Sequence, residues 1–236
     1  EQYEDFRVNL GLSASYDDLR TDGSASEALK KQKGTFSEIA GSYNFSFDQR
    51  NRAFRPTDGS IFNFGQTLPF YADKSYISNF LSFNSYKTLT EDIIGSGKFS
   101  LSTINGLGSD DVQLSKRKSL SSRRMRGFEK GKIGPVDSSD HIGGNYASVI
   151  NFEANLPNLL PEDTRTDIIL FLDFGNVWGV DYDSGIDDSN KIRSSFGASL
   201  EVLTPIGPLS FSLAQPISKA STDVTESFRF QLGTTF

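Results

Sequence analysis

Alternation of apolar and polar residues runs along most of the 236-residue chain. It is clearest in residues 168–175, where Ile, Leu, Leu and Phe occupy the even positions and Asp173 lies among the odd ones. A period of two residues is typical of a β-strand with one apolar face. The pattern predicts ten strands of about ten residues each, the length of a tilted membrane-spanning strand. The predicted strands are 6–16, 39–48, 62–70, 77–83, 93–107, 146–156, 168–175, 195–202, 209–214 and 228–236.

The connections between these segments alternate in length, which is typical of outer-membrane barrels with short periplasmic turns and long outer loops. The short ones carry Pro and Gly and comprise 55–59, 88–92 and 204–208. The long ones are 17–34, 109–145, 179–191 and 215–226. Within the first long connection, residues 26–32 have an acid before two lysines. This order suits the dipole of a short helix, and a disordered loop is the alternative.

Composition favours a membrane barrel over a soluble domain. Apolar residues make up only 36% of the chain, yet there are 20 phenylalanines. In a transmembrane β-barrel only alternate residues face lipid, so such a chain is hydrophilic on average. The longest apolar run, 168–172, is far shorter than the ~20 residues of a membrane helix. A soluble β-sandwich is the alternative, but it should not need so many outward Phe residues or long loops on one side.

Charge and residue counts exclude several functions. The net charge is −6, so the chain lacks the basic balance typical of proteins that bind nucleic acid. There is no Cys and the only His is His141, so thiolate zinc sites, Cys nucleophiles and multi-His metal sites are excluded. An enzyme would have to use carboxylates. We predict no enzyme, no cofactor and no metal.

Two groups of carboxylates are candidate sites. Glu153 and Asp173 lie on the polar faces of adjacent predicted strands and could be a glycosidase pair, but a role as anchors for a loop is favoured. Residues 181–188 resemble a calcium loop in the spacing of their Asp residues. They lack the Glu that closes an EF-hand site, so a solvated outer loop is favoured.

The one dense basic stretch of this acidic chain lies in the longest loop, at 116–118 and 123–135. A charge run is usually solvated. Here, however, the polar strand faces offer it the carboxylates of Glu153 and Asp173. We therefore predict that loop 109–145 folds into the barrel lumen and is fixed there by Arg, whose planar fork suits carboxylates.

Two short motifs complete this picture. The basic loop contains Arg126, Gly127 and Phe128, preceded by Met125. The strand that carries Asp173 has a Phe-x-Asp-x-Gly pattern followed by Trp, formed by Phe171, Asp173, Gly175 and Trp178. In order and spacing these motifs resemble the BamA family of outer-membrane protein assembly factors, which has Arg-Gly-Phe at the tip of a long outer loop, usually after Val.

The resemblance covers nearly the whole chain. Weaker matches are the turn 56–59, the glycines at 143–144, the turn 205–208, the Gln-Pro at 215–216 and the terminal segment 228–236. The resemblance implies that Arg126 contacts Asp173, with Glu153 nearby on the preceding strand.

Two departures from the family matter. Its barrel has sixteen strands, whereas the ten predicted here match the seventh to the sixteenth, and its N-terminal POTRA domains have no counterpart here. The chain also begins at Glu1 without Met. We therefore expect the C-terminal portion of a longer protein, with the first strands absent. A closed ten-stranded barrel is the lesser alternative.

The resemblance implies ATP-independent folding and insertion of other β-barrel proteins into the outer membrane, through lateral opening of the seam between the first and last strands. The partners would be unfolded barrel clients, accessory lipoproteins bound through the POTRA domains, and outer-membrane lipid. The short side of the seam would comprise Phe228, Phe230, Leu232, Gly233 and Phe236. A translocation or assembly barrel of the TamA type, a passive porin and a soluble β-domain remain as alternatives.

Overall fold

The computed structural model describes residues 5–161, 164–204 and 207–232. The strands are β1 (Phe6–Leu19), β2 (Gly34–Asp48), β3 (Gly59–Ala72), β4 (Tyr76–Thr90), β5 (Ile93–Gly106), β6 (Val136–Asp137), β7 (Asp140–His141), β8 (Tyr146–Leu156), β9 (Thr166–Trp178), β10 (Arg193–Thr204), β11 (Gly207–Ser218) and β12 (Phe228–Leu232). All but β6 and β7 form one sheet of ten strands, which confirms the predicted all-β fold and strand number.

Each strand of the large sheet pairs antiparallel with the next strand of that sheet along the chain, in the order β1-β2-β3-β4-β5-β8-β9-β10-β11-β12. β1 and β12 are the two edges, and they do not pair with each other within the described residues. The ten described strands therefore do not close on themselves, contrary to the lesser alternative of a closed ten-stranded barrel.

One face of the sheet is apolar and exposed. The large side chains on this outer face include Phe152, Leu170, Phe196 and Leu213, each about half exposed or more. The register places Leu172 directly opposite both Phe152 and Phe196, so the apolar side chains of adjacent strands form a continuous surface. An apolar surface of this extent is characteristic of contact with lipid.

The opposite face, called the inner face below, is polar and is partly covered by the connection between β5 and β8. This 107–145 loop contributes Leu120, Met125, Phe128 and Ile133 to a buried apolar cluster. The strands contribute Ala147 and Val149 from β8 and Val177 from β9. The main core of the protein therefore lies between the loop and the inner face of β8 and β9.

Connection lengths follow the predicted alternation with exceptions. The long connections 20–33, 107–145, 179–192 and 219–227 lie at one end of the sheet. At the same end β3 and β4 are joined by only 73–75, and at the other end the predicted turn 55–59 belongs to a longer connection, 49–58. β11 continues through Pro216 to Ser218, beyond the predicted strand end. Residues 205–206 of the predicted turn lie outside the described residues.

Of the two alternatives for residues 26–32, the structure contains the short helix, α1 (Glu27–Lys30). Ser26 caps its N-terminus, because Ser26 Oγ accepts a hydrogen bond from the Leu29 amide at 3.0 Å. Ser26 Oγ also donates to Asp137 of β6 at 2.6 Å. A side-chain acceptor at this position satisfies an amide that the helix leaves unpaired. Across the described residues, no helix has the length and apolar character needed to span a membrane.

Candidate functional site

The tip of the 107–145 loop is fixed to β9 by a buried ion pair. The Arg126 guanidinium donates from Nε to Asp173 Oδ2 at 2.8 Å and from Nη2 to Asp173 Oδ1 at 2.6 Å. The Arg126 backbone amide donates to Oδ2 as well, at 3.1 Å. The Asp173 side chain is 0% exposed. This bidentate geometry is the strongest form of an Arg–carboxylate contact.

Two further charges complete the cluster. Arg126 Nη2 lies 2.9 Å from Glu153 Oε1 on β8, and Lys98 Nζ on β5 lies 2.5 Å from Glu153 Oε2. The cluster thus contains two cations and two carboxylates. Asn151 donates to Asp173 Oδ1 at 2.7 Å and to the Arg124 carbonyl at 2.6 Å. Buried charges are tolerated when each one is paired and hydrogen-bonded, and this cluster meets that condition.

Each residue of the Phe-x-Asp-x-Gly pattern on β9 contacts the loop. The Phe171 ring centroid is 3.7 Å from Arg126 Cζ, so the guanidinium stacks on the ring as well as pairing with Asp173. At Gly175, a Cβ would lie 2.9 Å from Leu120 Cδ1 and 3.0 Å from the Met125 sulfur. Glycine at this position therefore lets the loop pack directly on the strand backbone.

The loop tip also needs its own glycine. Gly127 has φ +88°, a conformation that favours glycine, and a Cβ there would lie 3.2 Å from Ser195 Cβ on β10 and 3.3 Å from Ala214 Cβ on β11. Ser195 Oγ donates to the Arg126 carbonyl at 2.5 Å. Phe128 is 1% exposed in the apolar cluster. The tip is thereby held across three strands, β9 to β11.

The remaining predicted site residues lie away from this cluster. Trp178 packs on Tyr146, with ring centroids 5.6 Å apart, at the end of β9. Phe228, Phe230 and Leu232 lie on the exposed outer face of β12, opposite Leu213, Phe211 and Leu209. Gly233 and Phe236, also predicted for the seam, lie outside the described residues.

Sequence reasoning missed several residues of the cluster, namely Lys98, Asn151 and Ser195. All three lie on polar strand faces, and that signal was visible in the sequence. It did not distinguish them from the many other polar residues of those faces. Gly197 was missed as well, although a Cβ there would lie 2.6 Å from Phe171 Cζ, so this glycine makes room for the ring on which Arg126 stacks.

The Asp-rich loop between β9 and β10 uses its carboxylates to hold its own backbone and its neighbours. Asp188 accepts from the Val180 amide at 2.7 Å and Asp183 from the Gly185 amide at 2.8 Å. Asp181 pairs with Arg117. A hydrogen bond from Lys191 lowers the pKa of Asp187 to about 2. Within the described ranges, no three His, Asp or Glu side chains are grouped as metal ligands would be.

A cavity of about 300 Å³ lies beside the ion-pair cluster on the inner face. Its lining includes Arg126, Lys98 and Glu153 of the cluster, Glu201 of β10 and Arg229 of β12. The cluster therefore forms one wall of a charged space that extends to the last described strand.

An antiparallel sheet with a continuous apolar outer face, and a loop held by buried charges on its polar inner face, defines a membrane protein of the β-barrel class. The Omp85 superfamily domain matches residues 1–236. The chain therefore belongs to the Omp85 superfamily and is an integral outer-membrane protein.

Curated relatives include bacterial assembly factors and a human protein. The chain is 28% identical to the outer membrane protein assembly factor BamA of Neorickettsia risticii over 99% of its own length and 32% of that protein. It is 32% identical to BamA of Neisseria meningitidis serogroup B over 48% of this chain and 17% of that protein. It is 25% identical to the human sorting and assembly machinery component 50 homolog, over 90% of this chain and 48% of that protein. The chain spans a third or less of the two bacterial relatives.

A solved structure agrees with the fold. The chain superimposes on the crystal structure of BamA from Haemophilus ducreyi lacking POTRA domains 1–3, with a TM-score of 0.86 and 26% identity. The match covers 99% of this chain and 52% of that one. The resemblance predicted from the motifs is thus confirmed.

Proposed function

We propose that this chain acts in the assembly and insertion of β-barrel proteins into the outer membrane. The observation that carries the proposal is the buried contact of Arg126 with Asp173, in a chain similar to BamA over 99% of its length. The contact combines two side-chain hydrogen bonds, one backbone hydrogen bond and a stacked ring. Such an arrangement fixes one loop conformation, because moving the tip would leave a fully buried carboxylate unpaired.

The terminal strand supplies the edge at which a client would be received. β12 is paired with β11 over five residues, and its other edge is the one that the resemblance assigns to the seam with the first strand of the barrel. An unpaired strand edge offers a row of amides and carbonyls to an incoming strand. In the proposed mechanism, client strands are added at this seam by backbone hydrogen bonding. The mechanism uses no ATP and forms no covalent intermediate, so the protein does not act as an enzyme.

The anchored loop has a supporting role in this mechanism. It fills part of the inner face and holds β8 to β11 in one arrangement while the seam opens. The clients are unfolded outer-membrane β-barrel proteins. The POTRA domains and the accessory lipoproteins implied by the resemblance stay predictions.

The test uses the full-length protein in liposomes. A urea-unfolded small barrel protein is added, and its conversion to the heat-modifiable folded form is timed. We expect the wild type to accelerate folding and Arg126→Ala to lose most of that acceleration. Arg123→Ala is the matched control, because Arg123 is an exposed arginine of the same loop, and it should behave as the wild type.

Two outcomes would overturn the proposal. Equal acceleration by Arg126→Ala and the wild type would remove the role of the anchor. The absence of any acceleration by the wild type, together with steady ion conductance, would instead support a passive pore or a translocation barrel of the TamA type.

A further inference from the structure

The connection between β11 and β12 pairs with the anchored loop through its backbone. The Glu129 amide donates to the Val224 carbonyl at 3.0 Å, and the Glu226 amide donates to the Gly127 carbonyl at 3.0 Å. The Val224 amide donates to the Lys132 carbonyl at 3.1 Å. Residues 127–132 and 224–226 therefore form a short antiparallel ladder, called the tip ladder below. It begins at the residue next to Arg126.

The same connection is held from the other side by a second buried ion pair. Arg193, the first residue of β10, donates from Nε to Asp223 Oδ2 and from Nη2 to Asp223 Oδ1, both at 2.9 Å. The two side chains are 3% and 0% exposed. Arg193 also donates to Asn176 Oδ1 at 2.5 Å, and Asp223 accepts from the Ala220 amide at 2.6 Å. This pair has the same bidentate geometry as the Arg126–Asp173 pair that anchors the loop, but it lies elsewhere in the protein.

These contacts lie immediately before the terminal strand. Asp223 and residues 224–226 of the tip ladder precede Phe228, the first residue of β12, by five residues or fewer. The Ala214 amide of β11 donates to the Ser227 carbonyl at 2.8 Å, and Arg229 of β12 pairs with Glu226. Whatever fixes residues 223–226 therefore also fixes where β12 begins.

We infer that Arg193 and Asp223 are positioning residues for the terminal strand. Together with the tip ladder, they connect the loop anchored at Asp173 to the start of β12, so the strand edge at the seam is held in register from inside the barrel. This inference rests on the proposed function for its biological meaning. The physical link itself is independent of any client.

The link is tested by amide hydrogen exchange on the full-length protein in liposomes, without a client. Asp223→Asn keeps the shape of the side chain and removes its charge. We expect exchange of the amides of 228–232 to increase about tenfold or more, because local opening of β12 becomes easier. The amides of residues 168–173 on β9 should keep the wild-type rate, because the Arg126–Asp173 anchor is untouched. Asp187→Asn, in an exposed pair with Lys191, is the matched control and should change neither region.

A purely local role predicts a different result. If Arg193 and Asp223 only hold their own loop, exchange increases in 219–227 and stays unchanged in 228–232, and that result would overturn the inference. Arg193→Lys provides a second variant if Asp223→Asn does not fold. Lysine keeps the positive charge but cannot form the paired hydrogen bonds of the guanidinium. We therefore expect a smaller increase in the exchange rate of the β12 amides. An unchanged rate at 228–232 in Arg193→Lys would contradict the inference equally.

The client assay separates this inference from the proposed function. If the wild type fails to accelerate client folding while Asp223→Asn still loosens β12, the proposed function is wrong and the link stands. If the wild type accelerates folding and β12 exchange is unaffected by both variants, the function stands and the link is wrong.

Discussion

The inner face differs sharply between the two halves of the sheet. On β2 and β3 it carries small neutral side chains, among them Ser42, Asn44 and Asn63, of which Asn63 donates to Ser82 Oγ on β4 at 3.2 Å. Ser42, Asn44 and Asn63 are at least partly exposed. On β8 to β10 the same face carries charged residues buried under the loop, among them Asp173 and Arg193.

The difference shows what the loop adds to a repeating strand pattern. Both halves alternate apolar and polar residues, so both build the same sheet. Neutral amides and hydroxyls are adequate where water reaches the face, because water can replace a lost partner. Charges are concentrated where the loop excludes water, and there each must be matched by a particular partner. Interactions that require one particular partner are therefore concentrated on β8 to β10, which the loop covers.

The largest effect should come from Asp173→Ala. Removing the carboxylate leaves the Arg126 backbone amide and the Asn151 amide without their acceptor, and it leaves the guanidinium with Glu153 alone. Breaking one side of a buried pair costs about 3–5 kcal/mol. We expect a lower urea midpoint for loss of the heat-modifiable form of the full-length protein, together with new trypsin cleavage within the 107–145 loop.

Asp187→Asn is the control for Asp173→Ala, because it removes a carboxylate whose ion pair is exposed. Its urea midpoint and protease resistance should equal those of the wild type. Wild-type behaviour of Asp173→Ala in both measurements would show that the ion pair does not hold the loop.

A smaller effect is expected from Gly175→Ala. The new Cβ would lie 2.9 Å from Leu120 Cδ1 and 3.2 Å from the Ser148 carbonyl oxygen, so the loop must move away from β9. Overpacking of this kind costs about 1–3 kcal/mol. The same urea midpoint measures it.

Gly97→Ala on β5 provides the comparison for Gly175→Ala. A Cβ at Gly97 meets only Phe152 carbons at 4.0 Å, an ordinary contact. In a strand, replacing Gly by Ala without a clash is neutral or slightly stabilising. Equal midpoints for the two variants would mean that the loop does not press on β9 at Gly175.

Strand number and strand faces could be predicted from the sequence because a period of two needs no knowledge of distant residues. The contact between Arg126 and Asp173 was expected from the resemblance to a family. The roles of Lys98 and Asn151 depend on register, since β5 and β8 place Lys98 opposite Asn151 and Ser96 opposite Glu153. Register across a connection as long as 107–145 is not encoded in any local pattern. The same limit applies to Arg193 and Asp223, which lie thirty residues apart.

The smallest effect should come from Asn63→Ala in the open half of the inner face. The variant removes a donor to the neutral hydroxyl of Ser82 from a partly exposed position. A net cost of about 1 kcal/mol or less is expected, because water can take the vacated position.

Asn151→Ala removes the same amide from a buried site that contacts Asp173 and the Arg124 carbonyl. It should cost about 1–3 kcal/mol, because the buried partners are left unsatisfied. Urea midpoints of the two variants, measured side by side, therefore isolate the contribution of the loop cover from that of the amide itself. Equal losses would mean that water reaches both halves alike, and that the difference between the two inner faces lies in charge alone.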